Sequence, residues 1–336
     1  MKPYNELTLR GKARRLRVLA WNTLKHYELD VRKLRLISND QNGIFRIDTS
    51  DGQKYILRVA MPDAGHSLAE IQSEKMWLNH LKNLTGINAP QPIKAKNGKW
   101  IVTETAPGVP QPRHCSIFTW VPGVDLGERR TPENWRAFGE LSALMHEAAR
   151  DFTPTADFSI PVYDTIFMFA EDNVLFNPEN RHAYKDGEAD LIRQALERIE
   201  REISDIHQTQ SDKIRVTHGD LHHWNVRTAR GKVSPIDFED IMWAHPIQDI
   251  GVSLYYNRLD DNYDALLTAF KAGYESVTSW IENYPGQLEV HILARRLHLL
   301  NFIFAATEFD ISQFPKFLPA VMQRIAWVQE HVWDKI

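Results

Sequence analysis

A chain of 336 residues can bury a large core and exceeds the usual size of one compact domain, so two lobes with a cleft between them are expected. A formal charge of −4 excludes non-specific nucleic-acid binding driven by bulk electrostatics, and no nucleic-acid partner is expected. The single cysteine, Cys115, excludes an intrachain disulfide and points to a reducing, cytoplasmic compartment, where a small buried hydrophobe is its expected role.

The first element is announced by Arg10, Lys12, Arg14, Arg15 and Arg17, which lead into Val18-Leu19-Ala20-Trp21. That apolar run is too short for a signal-peptide core or a membrane span, so the cluster reads as the polar face of an opening helix and no membrane partner is expected. Lys33 to Ile37 and Gly43 to Asp48 then alternate like paired strands, joined by the turn-forming run Ser38-Asn39-Asp40-Gln41-Asn42. Tyr55-Ile56-Leu57-Arg58-Val59 reads as a third strand. A helix follows over Leu68 to Leu81, with Ile71, Met76, Trp77, Leu78 and Leu81 as its apolar stripe. Ser116 to Val121 is an apolar strand that breaks at Pro122-Gly123. Thr131-Pro132-Glu133 has the signature of a helix start, Thr at the N-cap and Pro at the first helical position. That helix continues through Trp135, Phe138, Leu141, Leu144, Met145 and Ala148, with His146 expected as a packed or capping residue. Phe152 to Pro161 and Asn177 to Gly187 read as loops able to border a substrate cleft.

The most informative segment lies further on. Lys213 to Thr217, Val226 to Thr228 and Lys232 to Ile236 read as short strands, the last two joined by Ala229-Arg230-Gly231. Pro235 removes a ladder donor, which predicts an edge strand or one whose N–H side faces away from a partner at that residue. Around them stand Val216-Thr217-His218-Gly219-Asp220-Leu221-His222-His223-Trp224-Asn225-Val226 and Pro235-Ile236-Asp237-Phe238-Glu239. Asp-x-x-x-x-Asn followed by a strand-borne Asp is what kinase-type phosphoryl transfer requires. One carboxylate accepts the proton of an attacking hydroxyl, while an amide oxygen and a second carboxylate hold magnesium on the ATP phosphates.

This segment resembles the aminoglycoside phosphotransferase and choline kinase superfamily, whose signature reads His-Gly-Asp-Leu-His-x-x-Asn and then Ile-Asp-Phe. His218, Gly219, Asp220, Leu221, His222 and Asn225 match it, as do Ile236, Asp237 and Phe238. The resemblance implies an α+β, bilobal protein-kinase-like fold. A small N-terminal lobe of antiparallel sheet plus helix would cover residues 1–119, and a larger, mainly helical lobe residues 120–336. It implies ATP and Mg2+ as cofactors, Asp220 as catalytic base with His218 orienting the catalytic loop, and Asn225 and Asp237 as metal ligands. Asp249, in Pro246-Ile247-Gln248-Asp249-Ile250-Gly251, matches the superfamily's later Asp that braces that loop. In the N-terminal lobe it assigns the nucleotide to Asn42 and Gly43 in the phosphate loop, to Arg58 paired with Glu74 or Glu70, and to the hinge residues Phe118 and Trp120.

The acceptor stays open among several classes. Trp243, Tyr255, Tyr256, Asp260, Asp261, Trp280, Glu308 and Asp310 combine aromatics with carboxylates, a chemistry suited to a cationic amino-alcohol or amino sugar. Arg295, Arg296 and His298 suit an anionic acceptor such as an amino-acid carboxylate. The Pro-x-Gln-Asp-Ile-Gly run resembles bacterial stress-response kinases that act on protein Ser or Thr. A metal-dependent phosphohydrolase built on His218, His222 and His223, and a nucleotide-binding pseudokinase, are the readings from other classes. The choice between ATP and GTP is open as well.

Overall fold

The computed structural model describes residues 2–39, 42–61, 66–82, 84, 86–168, 171–258, 260–306 and 314–336, with side chains from 317 onward in the last stretch. The chain divides into two compact units. The first comprises residues 1–122, 153–159 and 234–239, and the second residues 123–152, 160–233 and 240–336.

The first unit opens with helix α1 (Leu9–Leu24), capped by Thr8, whose Oγ1 accepts from Gly11 N at 3.2 Å. Its sheet contains β1 (Val31–Asn39), β2 (Gly43–Thr49), β3 (Lys54–Val59), β4 (Pro92–Ile93), β5 (Ile101–Glu104) and β6 (Arg113–Thr119). The strand order is β1-β2-β3-β6-β4, with β5 also pairing β6, and the pairings are antiparallel. Alternation sorts the faces: Phe45 and Ile47 of β2, Leu57 and Val59 of β3, and Cys115 and Ile117 of β6 are buried with Leu16, Leu19 and Ala20 of α1. Burial pushes the Cys115 thiol up to about 12, so it sits in this core as an inert hydrophobe. Helix α2 (Leu68–Leu81) begins with a capping box. Ser67 Oγ accepts from Glu70 N at 3.2 Å, and Glu70 Oε2 accepts from Ser67 N at 2.6 Å.

The second unit is mainly helical. Its helices are α3 (Pro132–Arg150), α4 (Glu188–Thr209), α5 (Pro246–Tyr255), α6 (Tyr263–Glu275), α7 (Gln287–Ala305) and α8 (Phe314–Val328). The short strands are β7 (Val124–Asp125), β8 (Arg215–Thr217), β9 (Val226–Ala229), β10 (Lys232–Pro235), whose last two residues belong to the first unit, and β11 (Met242–Ala244). They form a three-stranded sheet in the order β10-β9-β7 and an antiparallel pair β11-β8. Pro235 thus lies on an edge strand, where a residue without an N–H is tolerated. The strand expected from Lys213 starts at Arg215, because residues 211–213 close a 3-10 turn with Ile214 N on Ser211 O at 3.2 Å. Helices α3 and α6 cross closely: a Cβ on Gly139 would lie 1.9 Å from Phe270 O, and one on Gly273 1.8 Å from Arg136 O. Among the described residues no helix is long and apolar enough to cross a membrane.

Candidate active site

In the second unit the segment from His218 to Asn225 links β8 to β9, and its backbone is over-determined. Gly219 has φ 77°, and a Cβ there would meet Asp240 O at 2.1 Å, so only glycine fits. Its N–H donates to Asp249 Oδ1 at 3.0 Å. The other oxygen of Asp249 lies 3.0 Å from His146 Nε2, and His146 Nδ1 lies 3.1 Å from the Tyr274 hydroxyl. The bracing role implied for Asp249 has this physical form, and His146 is the buried residue that holds the brace.

Asp220 is held on both carboxylate oxygens. Oδ1 accepts from Arg295 Nη2 at 2.5 Å, while Oδ2 accepts from Asn225 Nδ2 at 3.2 Å and lies 3.3 Å from His222 Nε2. Trp224 N donates to His222 Nδ1 at 3.2 Å, which places the ring hydrogen of a neutral His222 on Nε2, facing Asp220. Burial raises the Asp220 carboxyl, but Arg295, His222 and His218 outweigh it and hold the group below the usual carboxylate range. The Asn225 amide nitrogen also donates to Asp220 O at 2.9 Å. With that end committed, the Asn225 side-chain oxygen is the end left for a hard cation, and the donor set suits one. His218 is buried in the same loop. A ring cluster flanks Asp220: Tyr256 lies 4.9 Å from His222 and 5.4 Å from Trp224, centroid to centroid, and Trp224 is 46% exposed.

In the first unit Arg58 is buried and ion-pairs with Glu74, which settles the choice of partner. Glu70 is occupied by the capping box one turn earlier. Arg58 Nη1 also lies 3.3 Å from Glu239 Oε2 and 3.9 Å from Asp237 Oδ1. The side chain of Asp237 is 50% exposed and its φ is +64°, a left-handed conformation for a non-glycine residue. A half-exposed carboxylate with a cation behind it fits a divalent-metal ligand. Asn42 is engaged at both ends of its amide, donating to Glu239 Oε2 at 2.7 Å and accepting from Met61 N at 3.2 Å. Gly43 pairs with Val59 at the start of β2. The Phe118 ring lies 5.1 Å beneath the Arg58 guanidinium. Trp120 stands apart from this cluster, under Arg46 at 5.4 Å. Asp40 and Gln41 of the proposed phosphate loop, and Glu308 and Asp310 of the proposed acceptor set, lie outside the described residues.

Two participants were not foreseen in these positions. Lys75 is fully buried, donates to Glu74 Oε2 at 2.6 Å, and lies 5.1 Å from the Phe118 ring. Burial, with Arg58 close by, pulls its ammonium down to about 8 against the attraction of Glu74. The available signal was its place on the buried stripe of α2, at i+4 from Ile71 and i−3 from Leu78. Arg295, expected for an anionic acceptor, faces Asp220 instead. Of the aromatic acceptor candidates Tyr256 reaches the Asp220 network, accepting from Arg295 Nη2 at 3.3 Å. Trp280 packs on Tyr274 and donates to Glu282. Asp260 is bound by Arg130 and Asn257.

The profile of the phosphotransferase enzyme family matches residues 33–285. The chain belongs to this family. As a phosphotransferase it is 23% identical over 301 residues to the amicoumacin kinase of Bacillus subtilis (strain 168), across 83% of this chain and 82% of that one. Its fold matches a microcompartment-associated aminopropanol kinase with a TM-score of 0.74 at 22% identity, covering 94% of this chain and 97% of that one. An amicoumacin kinase in complex with AMP-PNP, Ca2+ and Ami gives the same TM-score at 16% identity, covering 95% and 96%. The phosphotransferase therefore has the α+β protein-kinase-like fold of these enzymes.

Proposed function

We propose that this phosphotransferase moves the γ-phosphoryl group of ATP to a hydroxyl of a small amine-bearing molecule, with Mg2+ as the metal. The observation that carries the reading is the Asp220 carboxylate, fixed on both oxygens by Arg295, Asn225 and His222 beside an exposed aromatic surface. Phosphoryl transfer through a loose transition state asks the protein for positioning and charge compensation more than for covalent chemistry. Asp220 is the proposed base: it accepts the hydrogen bond of the acceptor hydroxyl, aims its oxygen and takes its proton. Asn225 and Asp237 are the proposed metal ligands, and the metal supplies charge neutralisation at the phosphates. Arg58, kept in place by Glu74, is the proposed phosphate contact, with Asn42, Gly43, Phe118 and Trp120 proposed around the nucleotide.

An amine on the acceptor is favoured by the faces of Trp224 and Tyr256, which attract cations through their ring quadrupoles. Kinases of similar fold, named for aminopropanol and amicoumacin, support a small-molecule acceptor over protein Ser or Thr. The test is ADP release in the presence of aminopropanol, ethanolamine, choline, homoserine and a set of aminoglycosides, each with ATP or GTP. Turnover with amine-bearing alcohols is expected. Turnover confined to a protein substrate, or to acceptors without an amine, would overturn the assignment.

A further inference from the structure

We propose that Arg295 of α7 is a positioning residue for Asp220, and that His298 locks it from behind. This rests on the phosphotransferase reading, in which Asp220 orients the acceptor hydroxyl.

An aspartate carboxylate turns easily about its Cβ–Cγ bond. Asn225 and His222 restrain Oδ2 alone, at 3.2 and 3.3 Å. The contact at Oδ1 is the 2.5 Å bond from Arg295, and it stops that rotation. Arg295 is itself immobilised. It is 7% exposed, its Nη2 also donates to the Tyr256 hydroxyl at 3.3 Å, and its Nη1 donates to His298 Nδ1 at 3.2 Å. A guanidinium only donates, so Nδ1 of His298 accepts and the ring hydrogen lies on Nε2, which stands 3.3 Å from Glu171 Oε2 without the alignment of a hydrogen bond. The chain Asp220–Arg295–His298 thus runs from the proposed base to two buried side chains of α7. Asp220 and Arg295 stand 75 positions apart in sequence.

The fork geometry is what the role requires. One guanidinium nitrogen serves Asp220 while the other serves His298, and an ammonium at the same place has no second arm. The pair also compensates the carboxylate charge. Asp220 therefore acts chiefly by orienting the hydroxyl, which suits a loose transition state in which little proton transfer precedes bond breaking.

The experiment compares wild type with Arg295→Gln, Arg295→Lys and His298→Asn. It measures ADP release with aminopropanol and with water alone as acceptor, and the rise in melting temperature on adding ATP and Mg2+. Arg295→Gln is expected to lower kcat about 10- to 100-fold, the size of a charge-assisted hydrogen bond to a buried group, with KM for ATP and the ATP-induced rise retained. Arg295→Lys should recover part of kcat, and His298→Asn should show a smaller loss of the same kind. A crystal structure of Arg295→Gln supplies a readout independent of the acceptor: the Asp220 carboxylate should leave its contacts with Asn225 and His222. Retained kcat, parallel loss of kcat and ATP binding, or an Asp220 carboxylate that stays in place would overturn the proposal. A wild-type protein that ATP does not stabilise would overturn the phosphotransferase reading itself.

Discussion

Replacing Glu74 with Gln keeps the shape of the side chain and removes a charge shared by two buried cations. Glu74 Oε2 pairs with Arg58 and accepts from Lys75 at 2.6 Å, and all three side chains are buried. Burial opposes the Glu74 carboxylate, yet Arg58 and Lys75 hold it down at about 2. At an effective dielectric constant near 20, each such pair at 4 Å is worth about 4 kcal/mol. Losing both is partly relieved because Lys75, already pulled down to about 8, sheds its proton when its partner vanishes. The net loss should then be about 3–5 kcal/mol, the usual cost of leaving a buried charge without its partner. Denaturant unfolding followed by tryptophan fluorescence measures it, with Trp77 on the same helix as reporter. Glu70→Gln is the control, since Gln can still accept from Ser67 N and only a charge at the start of α2 is lost, a cost of about 0.3–1 kcal/mol. Adding Lys75→Met to Glu74→Gln should recover part of the loss. Equal losses for Glu70→Gln and Glu74→Gln, or a loss below about 1 kcal/mol for Glu74→Gln, would refute the charge argument.

The remaining predictions concern pH, packing and acceptor binding. His245 caps α5 through Nδ1, and burial, with His291, Lys213 and Arg215 nearby, holds its ring down at about 3 against 6.5 when unfolded. The unfolded chain therefore takes the extra proton first, and the stability that the neutral ring contributes above pH 6.5 is lost as pH falls towards 3. His245→Asn keeps a capping side chain and should flatten the fall in melting temperature between pH 7 and pH 5; an unchanged slope would contradict this. Gly139→Ala should destabilise by about 1–3 kcal/mol despite its gain in helix propensity, because the new Cβ would meet Phe270 O at 1.9 Å. A melting temperature equal to wild type would show that the α3–α6 crossing yields at little cost. Trp224→Ala should raise KM for an amine-bearing acceptor about 2- to 30-fold at nearly constant kcat, and no change in KM would remove Trp224 from the acceptor surface.

Much of the fold was legible because it is written in local patterns. The apolar stripe from Ile71 to Leu81 gave α2 its bounds, and Thr131-Pro132 marked where α3 begins. Period-2 alternation found β1 and β2, the apolar run at 55–59 found β3, and an edge position was among the readings of Pro235 from its missing donor. The Asp220–Asn225 loop was visible because its residue types and spacing follow from the chemistry. Long-range charge pairing was not legible. Whether Glu70 or Glu74 meets Arg58 depends on a single helical turn, and the capping box that occupies Glu70 decides it. Lys75 has the composition of a surface residue and is buried because Glu74 and Phe118 receive it. Arg295 and Asp220 are distant in sequence, and no local pattern links a helix arginine to a loop carboxylate. The acceptor aromatics were over-read for the same reason: Trp280 belongs to the packing around Tyr274, while Trp224, within the signature itself, is the exposed ring.

The measurement that tests the central claim most directly is thermal stabilisation by ATP, with and without Mg2+, for wild type, Asp237→Ala and Asp220→Ala. The account predicts a magnesium-dependent rise in wild type that disappears in Asp237→Ala and persists in Asp220→Ala, although the latter no longer forms ADP with any acceptor. No rise with any nucleotide in wild type, or an undiminished magnesium-dependent rise in Asp237→Ala, would contradict it.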